Sequence, residues 1–258
     1  MRLPSLLLLL ITPGLLFAET PEEKGLAIAI EADRRDTGFG DSKANLTMLL
    51  KNRHGETSTR HIRLRTLEVD GDGDKSISIF DRPRDVKGTA FLSFTHKTGT
   101  DDQWLYLPAL KRVKRIASRN KSGSFMGSEF AYEDISSQEV EKYTYKYIAN
   151  EPCGALECFV YERYPEDKNS GYTRQIAYYD TKEYRPQKIV FYDRKNTLLK
   201  TLTYRSYQQY IDRYWRADEM FMENHQTGKT TLLSWEGYVF RNGFSSRDFN
   251  RNSLKRAR

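Results

Sequence analysis

Three aspartates separated by single glycines, Asp70, Asp72 and Asp74, are the part of this sequence that most resembles a metal site. Their spacing is that of the first half of a calcium-binding loop, and Asp81 stands at the twelfth position. However, Lys75 occupies the position where such a loop needs glycine, and its last ligand is normally a glutamate. The alternative is a turn between strands, because Asp and Gly tolerate positive φ. The pattern favours the turn, and we predict no metal and no cofactor.

Side chains suited to acid–base or nucleophilic catalysis do not form a recognisable set. Glu133–Asp134 and Asp101–Asp102 are adjacent pairs, and adjacent residues on a strand point to opposite faces. The four histidines are scattered, and neither a GxSxG nor an HExxH motif occurs. We therefore predict no catalytic residues and no enzymatic activity.

The N-terminal segment Met1–Ala18 has the features of a cleaved signal peptide. Arg2 gives a positive start, two apolar runs flank Pro13–Gly14, and Ala18 is a small residue suited to cleavage. A membrane anchor is the alternative, but the apolar stretch is shorter than the roughly 20 residues that a spanning helix needs. We expect export from the cytoplasm and a single mature domain over residues 19–258.

The two cysteines, Cys153 and Cys158, flank the short sequence GALE between two predicted strands. In an exported chain, a pair this close predicts a disulfide at the end of a hairpin. Metal binding is the alternative, but it needs further ligands, and the nearest histidines are far away in sequence.

A basic run, Lys111, Arg112, Lys114 and Arg115, is the most charged stretch of a chain with net charge +7. Such a run is most often a solvated face. If it binds something, anionic lipid headgroups or an acidic patch on a partner protein are the expected partners. Export argues against nucleic acid.

The elements that must position these residues begin with a helix over Pro21–Arg35. Thr20 and Glu23 are spaced as a capping box, Pro21 stands at the first helical position, and Gly38 can end the helix. Leu26, Ala29, Ile30 and Asp33 lie along one side of it. Ser246 with Asp248 is predicted to cap a short C-terminal helix.

Strand patterns dominate the rest of the chain. Tyr143, Tyr145 and Tyr147 share one face of their strand, as do Ile189 and Phe191 of another. Turn residues separate the strands at short intervals without long helices, which indicates an antiparallel meander. The predicted strands are 44–52, 56–69, 75–80, 89–96, 103–107, 142–149, 157–164, 173–179, 187–193, 198–207, 214–223 and 230–239.

The stretches WLYLPALKRVKRI from Trp104, GSFMGSEFAYEDI from Gly123 and DGDKSISIFDRPRDVKG from Asp72 carry a resemblance to a family. Together they resemble the LolA-like outer membrane lipoprotein-sorting proteins, which are often described beside RND-type transporters. The resemblance implies a mainly β fold, an open antiparallel β-barrel (half-barrel) like those of LolA and LolB. It also implies a helix in its concave side and an apolar cavity between helix and sheet.

In such a fold, the apolar side chains of the central stretch are the predicted ligand contacts: Trp104, Tyr106, Leu107, Phe125, Met126, Phe130 and Tyr132. The alternative is that the aromatic residues fill a solid core. The resemblance implies a monomeric periplasmic carrier that shields an acyl chain of a lipid or lipoprotein and works with an RND-type transporter. A non-carrying accessory subunit that docks on a transporter is the alternative.

Overall fold

The computed structural model describes residues 18–256, so the predicted signal peptide lies outside the described residues except for Ala18. Helix α1 spans Pro21–Asp36, close to the predicted bounds. Its capping box is present, because the Thr20 hydroxyl accepts from the Glu23 amide at 3.2 Å and the Glu23 carboxylate accepts from the Thr20 amide at 2.8 Å. Thr37 is the C-cap, and Gly38 follows with φ 99°. Within residues 18–256, no helix has the length and hydropathy needed to span a bilayer.

Of the apolar residues on the predicted side of the helix, Ala29 is buried, whereas Leu26 and Ile30 are 40% and 50% exposed. Gly25, Ile28 and Ala29 are the buried positions. A Cβ at Gly25 would lie 2.9 Å from the backbone nitrogen of Tyr147. The helix therefore needs a glycine there to lie directly on the backbone of a strand.

Thirteen strands form one sheet, and twelve of them match predicted strands. They are β1 (Asp41–Lys51), β2 (Thr57–Leu67), β3 (Lys75–Arg82), β4 (Ala90–Phe94), β5 (Asp102–Leu107), β6 (Arg112–Ile116), β7 (Tyr143–Cys153), β8 (Leu156–Pro165), β9 (Tyr172–Asp180), β10 (Pro186–Asp193), β11 (Leu198–Tyr210), β12 (Tyr214–Asn224) and β13 (Thr230–Phe240). The strand that the prediction missed is β6, which is formed by the basic run.

Strand order across the sheet is β6-β5-β4-β3-β2-β1-β13-β12-β11-β10-β9-β8-β7, and every neighbouring pair is antiparallel. The sheet is not closed, because β6 and β7 lie at its two edges without pairing to each other. These two strands are consecutive in sequence. The segment that connects them, residues 117–142, must therefore cross the whole sheet.

This crossing segment (residues 117–142) lies over the concave face. The Phe125 ring packs 6.0 Å from Phe80 of β3 and 5.1 Å from Phe91 of β4, measured between ring centroids. Farther along, the Lys200 ammonium of β11 donates to the Asp134 carboxylate at 2.6 Å. Apolar packing on one half of the sheet and ionic contacts on the other hold the segment in place.

Apolar side chains form two clusters on opposite faces of the sheet. The larger, concave cluster includes Tyr145, Tyr161, Phe191 and their neighbours together with the crossing segment. The smaller, convex cluster is covered by the C-terminal residues Phe249 and Leu254. Helix α2 (Arg251–Arg256) carries Leu254.

The cap of α2 differs from the one predicted at Ser246 and Asp248. The Asn250 side chain accepts from the Asn252 amide at 2.9 Å and from the Ser253 amide at 3.0 Å. Asp248 instead accepts from the amide of Ser245 at 2.8 Å. It closes a turn before the helix, and Asn250 caps the helix because it directly precedes the first helical residue.

Candidate functional site

A cavity of about 1230 Å³ lies between the second half of α1 and the concave face of the sheet. Ala29 and Ala32 of α1 form one wall, and Leu64, Met220 and Trp235 contribute apolar area from strands on the other side. The helix lies close to β7 at Gly25, and its small side chains Ala29 and Ala32 face the cavity. The fold therefore contains a cavity between helix and sheet, as the family resemblance implies, but charged and polar side chains line much of it.

Tyrosines from β7, β8, β9 and β11 line the cavity: Tyr145, Tyr161, Tyr179, Tyr204 and Tyr207. Tyr161 packs 6.0 Å from Tyr145 and 5.5 Å from Tyr179 between ring centroids. Burial raises the pKa of Tyr145, Tyr161 and Tyr204. Their hydroxyls are therefore neutral at physiological pH, and the wall presents both aromatic faces and hydrogen-bond donors.

Arg163 of β8 is a deeply buried basic residue among these tyrosines and is 4% exposed. Its Nε donates to the Gln175 side chain at 2.6 Å, and its guanidinium carbon lies 4.9 Å from the centroid of the Tyr143 ring. Within residues 18–256 it makes no ion pair. The cavity therefore contains a buried positive charge without a carboxylate partner.

Carboxyl groups line the opposite side of the cavity, at the turn after β2 and in the crossing segment. Burial, followed by the negative charge of Glu139, raises the pKa of Asp74 to about 7. Burial, followed by the charge of Asp33, raises the pKa of Glu139 to about 7. These two groups therefore hold a proton over much of the range below neutral pH.

Five predicted ligand contacts lie in the concave cluster: Leu107, Phe125, Met126, Phe130 and Tyr132. Phe125 and Phe130 are buried, and the rings of Phe125 and Tyr132 are 5.6 Å apart. Met126 has φ 51°, and its carbonyl accepts a hydrogen bond from the Arg60 guanidinium. The structure brings these residues together as packing between the crossing segment and the sheet, beside the cavity and not along its lining.

The other two predicted contacts, Trp104 and Tyr106, lie on the convex side of β5. They share one face of the strand, whereas Leu105 and Leu107 face the concave cluster, as the two-residue periodicity requires. The Trp104 ring lies 5.2 Å from that of Phe94. Trp104 is therefore separated from the cavity by the sheet itself.

The predicted basic surface is the free edge of the sheet at β6. Lys111, Arg112, Lys114 and Arg115 are all exposed, and Arg115 also pairs with the Asp102 carboxylate on the neighbouring strand. Exposed Lys and Arg at an edge strand oppose unwanted pairing with other chains. This surface and the cavity are separate features of the molecule.

The aspartates of the calcium-like segment make bonds within the protein. Asp72 Oδ2 lies 2.8 Å from His96 Nδ1, and its other oxygen accepts from the Lys97 amide at 3.0 Å. The Ser137 hydroxyl donates to Asp74 at 3.4 Å. Within the described part of the chain, no three His, Cys, Asp or Glu residues are grouped so as to hold a metal.

The disulfide prediction is confirmed. Cys153 and Cys158 are bonded at the end of the β7–β8 hairpin, with their Cα atoms 5.9 Å apart. Cys158 is buried. The bridge therefore closes the hairpin next to the free edge of the sheet at β7.

Arg163, Tyr161 and the cavity tyrosines of β9 and β11 were not among the predicted ligand contacts. A signal was present in β8, where Arg163 follows Phe159 and Tyr161 at alternate positions and so shares an aromatic face with them. A charged residue on such a face is uncommon unless it is paired.

Comparisons with known proteins agree with this geometry. A family model described only as "Uncharacterized protein" matches residues 72–256. A domain from Vibrio parahaemolyticus, described as an outer membrane lipoprotein-sorting protein, has 59% sequence identity and a TM-score of 0.89 over 91% of this chain and 99% of its own.

Two more distant structures share the architecture. A DUF1329 family protein from Desulfovibrio piger has 29% identity and a TM-score of 0.86, covering 91% of this chain and 99% of its own. A LolA superfamily protein from Nitrosomonas europaea has 19% identity and a TM-score of 0.72, covering 89% of this chain and 98% of its own. No curated protein sequence matches. The fold of this chain is like that of the LolA superfamily protein. Because the Vibrio relative is so similar over nearly its full length, the chain belongs to the family of outer membrane lipoprotein-sorting proteins.

Proposed function

We propose that this protein is a periplasmic carrier that encloses an acyl chain of a lipid or lipoprotein and passes it between membrane components. The observation that carries the proposal is the cavity of about 1230 Å³ between α1 and the sheet. Pockets for small molecules usually measure roughly 300–1,000 Å³, so this cavity has room for a long chain. The predicted signal peptide and the description of the Vibrio relative support the periplasmic location.

A carrier is needed because each methylene group exposed to water costs about 0.8 kcal/mol. A long acyl chain therefore leaves a membrane slowly unless a protein covers it. The apolar cavity wall of Ala29, Leu64, Met220 and Trp235 offers such cover. We propose that the protein carries this acyl chain without cleaving it or transferring it covalently.

We further propose that the carrier is a monomer and that it exchanges its lipid with an RND-type inner-membrane transporter. The exposed basic edge at Lys111, Arg112 and Lys114 supports docking, because it would attract anionic headgroups or an acidic patch on such a partner. The apolar residues of the crossing segment that were predicted as ligand contacts, Phe125 and Met126 among them, would then hold one wall of the carrier in place.

Native mass spectrometry of protein purified from the periplasm tests the carrier function. We expect a co-purifying lipid, and uptake of a fluorescent fatty acid by the delipidated protein. Repeated absence of both would overturn the proposal and favour the accessory subunit that docks without carrying.

A pair of variants tests whether the cavity is the binding site. Ala32 lines the cavity, whereas Ala27 of the same helix is exposed outside it. Ala32→Trp should reduce fatty-acid uptake because the indole occupies cavity volume, and Ala27→Trp should not. Equal uptake by both variants would place any bound lipid elsewhere.

A further inference from the structure

Arg163 is buried as deeply as Lys200, but only Lys200 has a counter-charge. Both side chains are 4% exposed. The Lys200 ammonium lies 2.6 Å from Asp134 Oδ2, whereas Arg163 has only Gln175 and the Tyr143 ring as polar and cation–π partners among the described residues. An arginine cannot lose its proton to escape this burial. Its charge is therefore uncompensated in the protein alone.

Two acidic residues of the crossing segment, Glu133 and Asp134, are already engaged, whereas Glu139, whose pKa burial raises to about 7, lines the same cavity without forming an ion pair with Arg163 in the described part of the chain. Asp134 accepts from Lys200 at 2.6 Å and from the Tyr172 hydroxyl at 2.8 Å. Glu133 accepts from the Ser170 hydroxyl and the Gly171 amide, each at 2.8 Å. These bonds occupy Glu133 and Asp134, and neither carboxylate forms an ion pair with Arg163 within residues 18–256.

The unbonded part of the Arg163 guanidinium faces the cavity, since the side chain lines it and is otherwise enclosed. Tyr204 lines the same cavity, and its hydroxyl donates to no other group within residues 18–256. A guanidinium and a phenolic hydroxyl among aromatic side chains are suited to bind a carboxylate or phosphate oxygen.

We propose that Arg163, assisted by Tyr204, forms an anion subsite inside the cavity that holds the charged head of a single-chain amphiphile. This proposal rests on the carrier function and narrows its cargo to molecules with a carboxylate or phosphate group. The acyl chain of the cargo then lies along the apolar wall formed by α1, β2, β12 and β13.

Displacement of the neutral probe N-phenyl-1-naphthylamine from the delipidated protein at pH 7.5 tests the subsite. Palmitate, hexadecyl phosphate and hexadecanol have chains of equal length and differ in the head group. We expect the better anion to bind about 10- to 100-fold more tightly than hexadecanol, as hydrogen bonds to charged groups imply. The order of palmitate and hexadecyl phosphate distinguishes a carboxylate site from a phosphate site.

Arg163→Gln and Arg163→Met should bind hexadecanol as the wild type does and lose the preference for anions. Tyr204→Phe should reduce that preference by a few-fold. Arg174→Gln is the matched control, because Arg174 pairs with Glu162 at 2.7 Å and does not line the cavity. Its preference should equal that of the wild type.

Thermal melts separate the subsite from a structural role. Arg163→Met removes a buried charge without a counter-ion, so the ligand-free variant should melt no lower than the wild type. A lower melting temperature with an unchanged anion preference would show that Arg163 supports the sheet, and would overturn the subsite. If the wild type bound the two anions no more tightly than hexadecanol, the subsite would also be refuted. The proposed carrier function would stand in that case, because hexadecanol would still bind. Failure of all three ligands to bind would overturn both proposals.

Discussion

Neutralising Glu139 should make the protein less sensitive to pH. Its side chain is 7% exposed and makes no hydrogen bond or ion pair with the rest of residues 18–256. Burial first, and then the charge of Asp33, raises its pKa from 4.5 to about 7. In the unfolded chain the carboxyl loses its proton near pH 4.5, whereas in the folded protein it keeps it until about pH 7.

The sign and size of the effect follow from this difference. A raised carboxyl pKa stabilises the fold fully below the unfolded pKa, and that contribution is lost as pH rises through the folded pKa. At 1.36 kcal/mol for each pH unit, the loss between pH 4.5 and 7 amounts to about 3 kcal/mol. Glu139→Gln cannot ionise, so its free energy of unfolding should rise relative to wild type by about 2–3 kcal/mol over this range.

Urea unfolding of the wild type and of Glu139→Gln at several pH values between 4.5 and 8 measures the difference in their free energies of unfolding. Groups that titrate alike in both proteins do not contribute to this difference. Glu141→Gln is the control, because this neighbouring glutamate is exposed. Its difference from wild type should change little with pH. A constant difference between Glu139→Gln and wild type at all pH values would refute the reasoning.

Three further predictions concern stability. Phe125→Ala should lower the free energy of unfolding by about 3–5 kcal/mol in urea titrations, because it leaves a hole among buried rings; little change would show that the crossing segment is not part of the core. Gly25→Ala should lower the melting temperature despite the gain of about 1 kcal/mol in helix propensity, since the new methyl would meet the backbone of Tyr147 at 2.9 Å; a higher melting temperature would contradict this close packing. Alkylation of unreduced protein should leave Cys153 and Cys158 unlabelled, and the double serine variant should lose about 2 kcal/mol, as expected for a short loop; labelling of both thiols would refute the bridge.

Local patterns were enough to predict most of the elements and the family. Thr20, Pro21 and Glu23 predict the start of α1 because a capping box depends only on residues in one turn. Alternating Tyr143, Tyr145 and Tyr147 predict which residues of β7 share a face for the same reason.

The basic run shows where local patterns were insufficient. Its charges resemble a solvated loop, but Arg112–Ile116 becomes strand β6 by pairing with β5. The partner strand supplies the hydrogen bonds, and only Val113 and Ile116 need apolar cover. Tertiary pairing thus outweighs a composition that is unfavourable for a strand.

By itself, the sequence determined the type of every helix and strand except β6, as well as the disulfide and the family, because these depend on residues close together in the chain or on long shared motifs. Only the tertiary structure decided which faces meet. The two-residue period of a strand puts Trp104 and Leu105 on opposite faces of the sheet, but it does not indicate which of them lies on the concave face. That depends on the order of the strands and on the path of residues 117–142 across the sheet. The same arrangement places Phe125 in the packing of the crossing segment and Arg163 in the cavity, since each position results from contacts between residues far apart in sequence.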